Sequence, residues 1–289
     1  MSEIFKSTVR APVIRYHGGK FRLAPWIVGF FPPHQLYTEA YGGAAGVLMR
    51  KVRSHGEVYN DLDEDIANLF RVLQQPDSNA RLRELLVLTP YARSEFELSW
   101  EETTDPVERA RRTVIRAHLG FGSAGATKNS TGFRIDTRRR YSTAMQVWSR
   151  YPDNLVGVLD RLQGVLIENR PAIEILEQHD SNDSLHFVDP PYLHETRKMG
   201  YGACYRHEMT RDDHRELLSA LCNLAGMVVL NGYDSDLYQE ALPDWRMYTK
   251  QVAASGGRGS VRRTEVLWLS PACEARQKQQ GLDLVGGGL

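Results

Sequence analysis

The sequence has few cysteines and no long apolar run, and these absences exclude several classes of protein. Its three cysteines, Cys204, Cys222 and Cys273, are odd in number and lack the paired spacing of a metal site. We therefore predict reduced thiols in a cytoplasmic protein, and no metal site. Apolar runs such as residues 227–230 are far shorter than the roughly 20 residues that cross a bilayer. The first ten residues also lack the apolar centre of a signal peptide, so no membrane association is expected.

The chain also lacks net charge, since 36 Lys and Arg residues balance 36 Asp and Glu residues. This balance excludes a protein that binds polyanions over its whole surface. The charge is nevertheless uneven, because residues 106–150 contain many basic residues but only Glu108 and Asp136 as acids. Such a segment suits contacts to phosphates, and the alternative is a solvated helix face followed by a charged loop.

The most specific pattern is a short apolar strand that ends in Asp189, Pro190, Pro191 and Tyr192. A carboxylate and a backbone carbonyl can accept hydrogen bonds from an exocyclic NH2 group, while a tyrosine ring stacks on the attached heterocycle. The prolines fix φ and keep the loop from becoming helical, and the carbonyl of Pro190 stays available. The pattern predicts methylation of an amino group on a nucleobase; the alternative is a plain strand and tight turn.

The first part of the chain has the order of a nucleotide-binding βαβ unit. We predict a strand at residues 36–40, a glycine-rich turn at 42–46, a helix at 47–53 and a strand at 57–61. Small residues in the turn allow a ligand to approach the backbone. Asp61 is placed to accept hydrogen bonds from ribose hydroxyls, and its alternative role is to cap the helix predicted at 65–73. The spacing of neither a dinucleotide fold nor a phosphate loop is present.

The middle of the chain differs from both ends. It combines predicted helices with a Gly/Ser/Thr-rich loop, residues 120–132, that is too polar to form core. We predict a catalytic domain from residues 1–75 and 155–273, an inserted target-recognition and DNA-binding module at 76–154, and a disordered tail at 274–289. The remaining predicted elements are helices at 81–87, 106–118, 172–177 and 211–224, strands at 165–168, 186–189 and 227–231, and a hairpin of 246–252 with 264–270.

Together these motifs resemble the Dam-type family of DNA adenine-N6 methyltransferases, in its α-type motif order. Residues 16–20, Tyr-His-Gly-Gly-Lys, resemble its N-terminal Trp-Ala-Gly-Gly-Lys motif. Residues 39–45, Glu-Ala-Tyr-Gly-Gly-Ala-Ala, resemble its cofactor loop, although Ala40 stands where the family has proline and Ala45 where it has glycine. Asp61 matches its ribose-binding acid, residues 255–268 resemble its last hairpin, and Asp-Pro-Pro-Tyr is matched in full. Near residues 168–172, Pro171 and Ala172 replace the family's Asp-aromatic pair.

The resemblance implies an α/β fold, with a Rossmann-like S-adenosylmethionine-dependent methyltransferase core and an inserted, mostly helical target-recognition module. It implies S-adenosylmethionine as methyl donor and a flipped-out adenine in double-stranded DNA as acceptor. The catalytic residues it implies are Asp189, Pro190, Pro191 and Tyr192. The cofactor-binding residues it implies are Tyr16, Lys20, Glu39, Tyr41, Gly43, Asp61 and Asp189. Expected DNA contacts are Arg116, Lys128, Arg134, Arg138, Arg139, Arg140 and Arg258.

Several alternatives stay open at the level of sequence. A cytosine-N4 methyltransferase uses the same amine chemistry, usually with serine in place of the first aspartate. An RNA or protein amine methyltransferase and a non-catalytic DNA-binding relative are further alternatives. No obligate protein partner is expected. The biological role is equally open between housekeeping, phage-borne and restriction-associated, the last with a restriction endonuclease as counterpart.

Overall fold

A computed structural model describes residues 9–127, 131–137, 143–193, 204–256 and 259–279. Seven strands form one sheet in the order β3-β2-β1-β4-β5-β7-β6. The strands are β1 (Leu36–Glu39), β2 (Gly56–Asn60), β3 (Val165–Glu168), β4 (Ser184–Val188), β5 (Met227–Gly232), β6 (Arg246–Gly256) and β7 (Gly259–Leu269). The first five in spatial order are parallel, and β7 pairs antiparallel with both β5 and β6. The α/β class is as expected, and the sheet is consistent with a methyltransferase core.

Helices connect and cover these strands. They are α1 (Ala24–Val28), α2 (Glu64–Gln74), α3 (Pro76–Leu88), α4 (Arg93–Leu98), α5 (Pro106–Leu119), α6 (Ala144–Ser149), α7 (Tyr151–Asn154), α8 (Val156–Leu162), α9 (Ala172–Gln178), α10 (Arg211–Asn223), α11 (Asp236–Ala241) and α12 (Pro271–Gln279). Thr210 and Asp213 form a capping box at the start of α10. In the described part of the chain, no helix is long and apolar enough to cross a membrane.

The two faces of the sheet carry separate hydrophobic clusters, because successive side chains of a strand point to opposite faces. In β5, Met227 and Val229 join the larger cluster, whereas Val228 and Leu230 join the smaller one. The larger cluster also contains buried residues of α3, α5 and α6 such as Leu82, Val114 and Trp148. The middle region therefore shares its core with the sheet, and its separation as an inserted module stays a prediction.

Three local predictions differ from the structure, two of them between residues 43 and 127 and the third in the C-terminal tail. Residues 43–50 form consecutive turns, with mixed i−3 and i−4 hydrogen bonds, instead of a regular helix at 47–53. One reason is that the N–H of Leu48 donates to the carboxylate of Glu39, 2.8 Å away, rather than to the carbonyl of Ala44. Within the loop predicted to lie outside the core, Ala126 and Thr127 are buried.

The predicted disordered tail is wrong for its first part. Helix α12 continues to Gln279, because its polar side chains are held by the body of the protein. Buried Gln277 donates to the carbonyl of Phe30 at 2.5 Å, and Arg276 forms an ion pair with Asp183. Residues 280–289 lie outside the described residues.

Candidate active site

A cavity of about 650 Å³ opens at the carboxyl edge of the parallel strands. It lies between β1 and β4, where the strand order reverses, which is the usual place for a ligand in such a sheet. The sequence-predicted residues that line it are Tyr16, Lys20, Glu39, Tyr41, Gly43, Asp61, Asp189 and Pro191. The fold thus brings all seven predicted cofactor residues to one space.

The loop after β1 requires small residues because aromatic rings press against its backbone. A Cβ on Gly42 would lie 2.1 Å from the ring of Tyr59, and a Cβ on Gly43 would lie 2.7 Å from the ring of Tyr16. Gly43 also has a left-handed φ of +49°. Ala45, at the position where the resembled family has glycine, adopts a left-handed φ of +52° despite its side chain.

Asp61 follows β2 and faces the cavity. Its oxygens accept hydrogen bonds from the N–H of Gly43 at 2.7 Å and of Asp63 at 2.8 Å. Burial raises the pKa of Asp61 to about 7, and the neighbouring Asp63 carboxylate adds to the rise. Asp63, not Asp61, caps α2 by accepting from the N–H of Asp65. The alternative role of Asp61 as the cap of α2 is therefore excluded, and its role toward a ligand stays a prediction.

Glu39 has a different local function from Asp61. It is 2% exposed, and one of its oxygens accepts from the hydroxyl of Tyr37 and the N–H of Leu48, each at 2.8 Å. Burial raises its pKa to about 7, and the charge of Asp189 acts in the same direction. Glu39 thus shapes the turn after β1 as well as lining the cavity.

Asp189 is held between a cation and an amide. Its Oδ2 lies 2.9 Å from the Nζ of Lys20, and its Oδ1 accepts from the Nδ2 of Asn231 at 2.7 Å. The same amide donates to the hydroxyl of Tyr192 at 2.6 Å, and Lys20 lies over the Tyr192 ring, 5.1 Å from its centre. Lys20 of the N-terminal motif thus pairs with the first residue of the Asp-Pro-Pro-Tyr motif. Pro190 is buried in the same loop.

Sequence reasoning missed a segment that covers part of the cavity. Arg206 places its Nη1 2.7 Å from both carboxylate oxygens of Asp63. Tyr205 donates from its hydroxyl to the carbonyl of His17 at 3.2 Å, and its ring meets the ring of His17 edge-on. Tyr205 and Arg206 are recognised as part of the site because they bond to His17 and Asp63, which lie about 190 and about 140 positions earlier in the chain. No local sequence pattern could have found them.

The basic character predicted for residues 106–150 is largely neutralised in α5. Arg109 and Arg116 pair with Asp65 of α2, and Arg111 pairs with Glu95 of α4. Arg116 is 7% exposed and also donates to the carbonyl of Ser99. Arg116 therefore uses its guanidinium within the scaffold, and its burial speaks against the phosphate contact expected from sequence.

Arg134 is similarly withdrawn from solvent, at 8% exposure, with its guanidinium 3.4 Å from the carboxylate of Asp136. The other expected DNA contacts, Lys128, Arg138, Arg139, Arg140 and Arg258, lie outside the described residues. No disulfide joins the three cysteines, all of which lie among the described residues. Within the described residues, no cluster of histidine, cysteine or carboxylate side chains could hold a metal ion.

Comparisons with known proteins give one strong match. A family model described as D12 class N6 adenine-specific DNA methyltransferase matches residues 16–252. This range includes the N-terminal motif, the cofactor loop and the Asp-Pro-Pro-Tyr motif. The comparison with curated proteins gave no match. Among solved structures, precorrin 8W decarboxylase of Methanobacterium thermoautotrophicum has 10% identity, with 92% of this chain and 97% of that chain covered and a TM-score of 0.33. That likeness is too weak to indicate a shared function.

Proposed function

Because this chain belongs to the D12 class of N6 adenine-specific DNA methyltransferases, and thus methylates N6 of adenine in DNA, we propose that S-adenosylmethionine binds in the cavity beside Asp189. The observation that carries the proposal is that the predicted cofactor residues all line this one space, which ends at the proposed catalytic carboxylate. Its volume of about 650 Å³ is in the range of small-molecule sites.

The charges around the cavity fit this ligand, which carries a sulfonium, an ammonium and a carboxylate group. Carboxylates predominate in the lining, including Glu39, Asp61 and Asp63, and they complement the cationic groups. Asp61 is placed to accept hydrogen bonds from the ribose hydroxyls. Pro171 and Ala172 offer an apolar wall for the adenine ring in place of the aromatic residue of the resembled family. When bound, S-adenosylmethionine supplies an electrophilic methyl group.

Asp189 and the carbonyl of Pro190 act on the amine that receives the methyl group. Adenine N6 is a poor nucleophile because its lone pair is delocalised into the ring. Hydrogen bonds from N6 to the carboxylate and the carbonyl favour a pyramidal nitrogen and stabilise the positive charge that develops there. A carboxylate has about four lone-pair positions, so Asp189 can accept from N6 while it remains bonded to Lys20 and Asn231.

Tyr192 receives the base outside the DNA stack. Its ring is fixed by the hydrogen bond from Asn231 and by edge-on contact with Tyr233, with ring centres 4.7 Å apart. Stacking of the extruded adenine on this ring offsets part of the unstacking cost, which is a few kcal/mol. Double-stranded DNA is the proposed partner, with its phosphates held by Lys128, Arg138, Arg139, Arg140 and Arg258.

Expression in a bacterium without DNA methylation, followed by mapping of modified bases, tests the reaction and the target together. We expect N6-methyladenine at a defined motif, and none with Asp189→Ala. Methylated cytosine would assign the chain to the N4 class instead. A titration with S-adenosylmethionine separates the remaining case, because a non-catalytic DNA-binding relative would give neither modification nor cofactor binding.

A further inference from the structure

A buried amide lies beside the two proposed catalytic side chains. Asn231 belongs to β5, which pairs with the strand that leads to Asp189, and it is fully buried. Its Nδ2 lies 2.7 Å from the Oδ1 of Asp189 and 2.6 Å from the hydroxyl of Tyr192. Since a side-chain amide has two N–H donors, these two residues use both of them.

The chemistry of the partners fixes the direction of these bonds. A carboxylate is an acceptor only, so the nitrogen of the Asn231 amide must face Asp189. The Tyr192 hydroxyl accepts from the same nitrogen, and its own hydrogen points to the Oε2 of Glu265, 3.5 Å away. The other oxygen of Asp189 meets Lys20. One amide therefore sets the position of Asp189 relative to Tyr192.

Folding alone does not explain an amide at this position. The Oδ1 of Asn231 is buried and has no hydrogen-bond partner among the described residues. A buried acceptor without a partner is unfavourable for folding, and a leucine of similar volume would avoid that cost. What the amide provides is the link between Asp189 and Tyr192.

We propose that Asn231 is a positioning residue for methyl transfer. It holds two groups in one arrangement: the carboxylate of Asp189, which accepts a hydrogen bond from N6, and the ring of Tyr192, which stacks on the base. Groups that act on a reacting atom must be held to within about 0.5 Å, and a displacement of about 1 Å can lower a rate about 100-fold. The inference rests on the proposed roles of Asp189 and Tyr192.

The test compares Asn231→Leu with wild type in single-turnover methylation of a DNA that contains the mapped target. We expect the single-turnover rate constant to fall about 10- to 100-fold. The Kd for S-adenosylmethionine should change less than about twofold. The variant should stay folded at the assay temperature, because relief at Oδ1 of Asn231 offsets part of the cost of the two lost hydrogen bonds. Thr38→Val is the matched control, since Thr38 is also fully buried in the sheet, but its unpartnered hydroxyl forms no hydrogen bond with Asp189. It should keep the wild-type rate constant.

A double-mutant cycle separates positioning from a merely structural effect. Because Asn231 acts partly through the Tyr192 hydroxyl, Asn231→Leu should cost less in a Tyr192→Phe background than in wild type. Three results would each overturn the inference: equal costs of Asn231→Leu in the two backgrounds, a wild-type single-turnover rate constant for Asn231→Leu, or a rate loss that only follows partial unfolding. Should Asn231→Leu fail to fold, Asn231→Ser, which cannot reach both partners, must show the same loss. An active Asp189→Ala would instead refute the proposed function itself.

Discussion

Replacement of Asp61 by asparagine is expected to stabilise the cofactor-free protein at neutral pH while it weakens cofactor binding. Folding raises the pKa of this carboxyl to about 7, mainly through burial, from about 3.9 in an unfolded chain. A carboxyl with a raised pKa stabilises the folded state at low pH, where it is protonated, and this contribution is lost as the pH rises through 7. Wild-type protein therefore loses stability through this group between about pH 4 and pH 7.

The size of the effect follows from the two pKa values. Between pH 5 and pH 8, a carboxyl shifted from about 3.9 to about 7 loses up to about 3 kcal/mol of stabilisation. Asparagine cannot ionise, so the variant avoids this loss. Asparagine has one acceptor oxygen in place of two, so it cannot accept hydrogen bonds from the N–H groups of both Gly43 and Asp63. The lost hydrogen bond costs about 1 kcal/mol at every pH. Between pH 5 and pH 8, the difference in unfolding free energy between Asp61→Asn and wild type should thus shift in favour of the variant by up to about 3 kcal/mol.

Binding should respond in the opposite direction. If only the ionised Asp61 accepts the ribose hydroxyls, the affinity of wild type for S-adenosylmethionine falls about tenfold between pH 8 and pH 6. Asp61→Asn should bind more weakly at pH 8 and lose the part of the pH dependence that Asp61 supplies, while Glu39, whose pKa is also raised to about 7, keeps its own part. Urea unfolding without cofactor and a binding titration, each from pH 5 to pH 8, measure the two effects.

Glu57→Gln is the control of opposite sign. Burial alone would raise the pKa of Glu57, but the bonds from Arg161 and Lys51 lower it. The stabilisation by Glu57 is present above its unfolded pKa and is lost as the pH falls through its folded pKa. The loss of unfolding free energy in Glu57→Gln is therefore largest at neutral pH. An unfolding difference between wild type and Asp61→Asn that does not change with pH would refute the reasoning for Asp61.

Two further predictions concern the turn after β1 and the DNA contacts. Ala45→Gly should change the unfolding free energy by less than about 1 kcal/mol, because relief of the left-handed φ offsets the lost methyl group and the added chain entropy. Ala45→Val should cost about 2–4 kcal/mol, and urea unfolding of both variants checks this. Arg139→Ala should weaken DNA binding at all sequences and reduce the salt slope of log K by about one, whereas Arg276→Ala should not, since Arg276 lies in α12, outside the predicted DNA-binding module, and is paired with Asp183. An unchanged slope for Arg139→Ala would count against the predicted phosphate contact.

Much of the cavity lining could be predicted from sequence because it depends on where strands end. Glu39, Asp61 and Asp189 each lie at or just after the carboxyl end of a parallel strand, and these ends meet at one edge of the sheet. The capping box of α10 and the terminal hairpin were equally predictable, since both depend on residues close together in the chain.

The basic surface was predicted less well than the cavity lining, because a count of charged residues in one segment omits ion-pair partners from distant parts of the chain. The arginines of α5 have few acids near them in sequence, yet Asp65 lies 51 positions before Arg116 and pairs with it. The helix predicted at residues 47–53 is also wrong, because the N–H of Leu48 donates to the buried carboxylate of Glu39 and the segment forms turns instead.

The sequence by itself determined the α/β class, predicted amine chemistry for Asp189 to Tyr192 and identified residues that line the cavity, because local patterns encode strands, turns and functional groups. Only the tertiary structure decided which of those groups are already paired. It placed Lys20 and Asn231 on Asp189, Arg206 on Asp63, and withdrew Arg116 from solvent. These pairings join residues 42 to 169 positions apart in the chain, with Asp189 and Asn231 the closest and Lys20 and Asp189 the farthest, and packing alone brings them together.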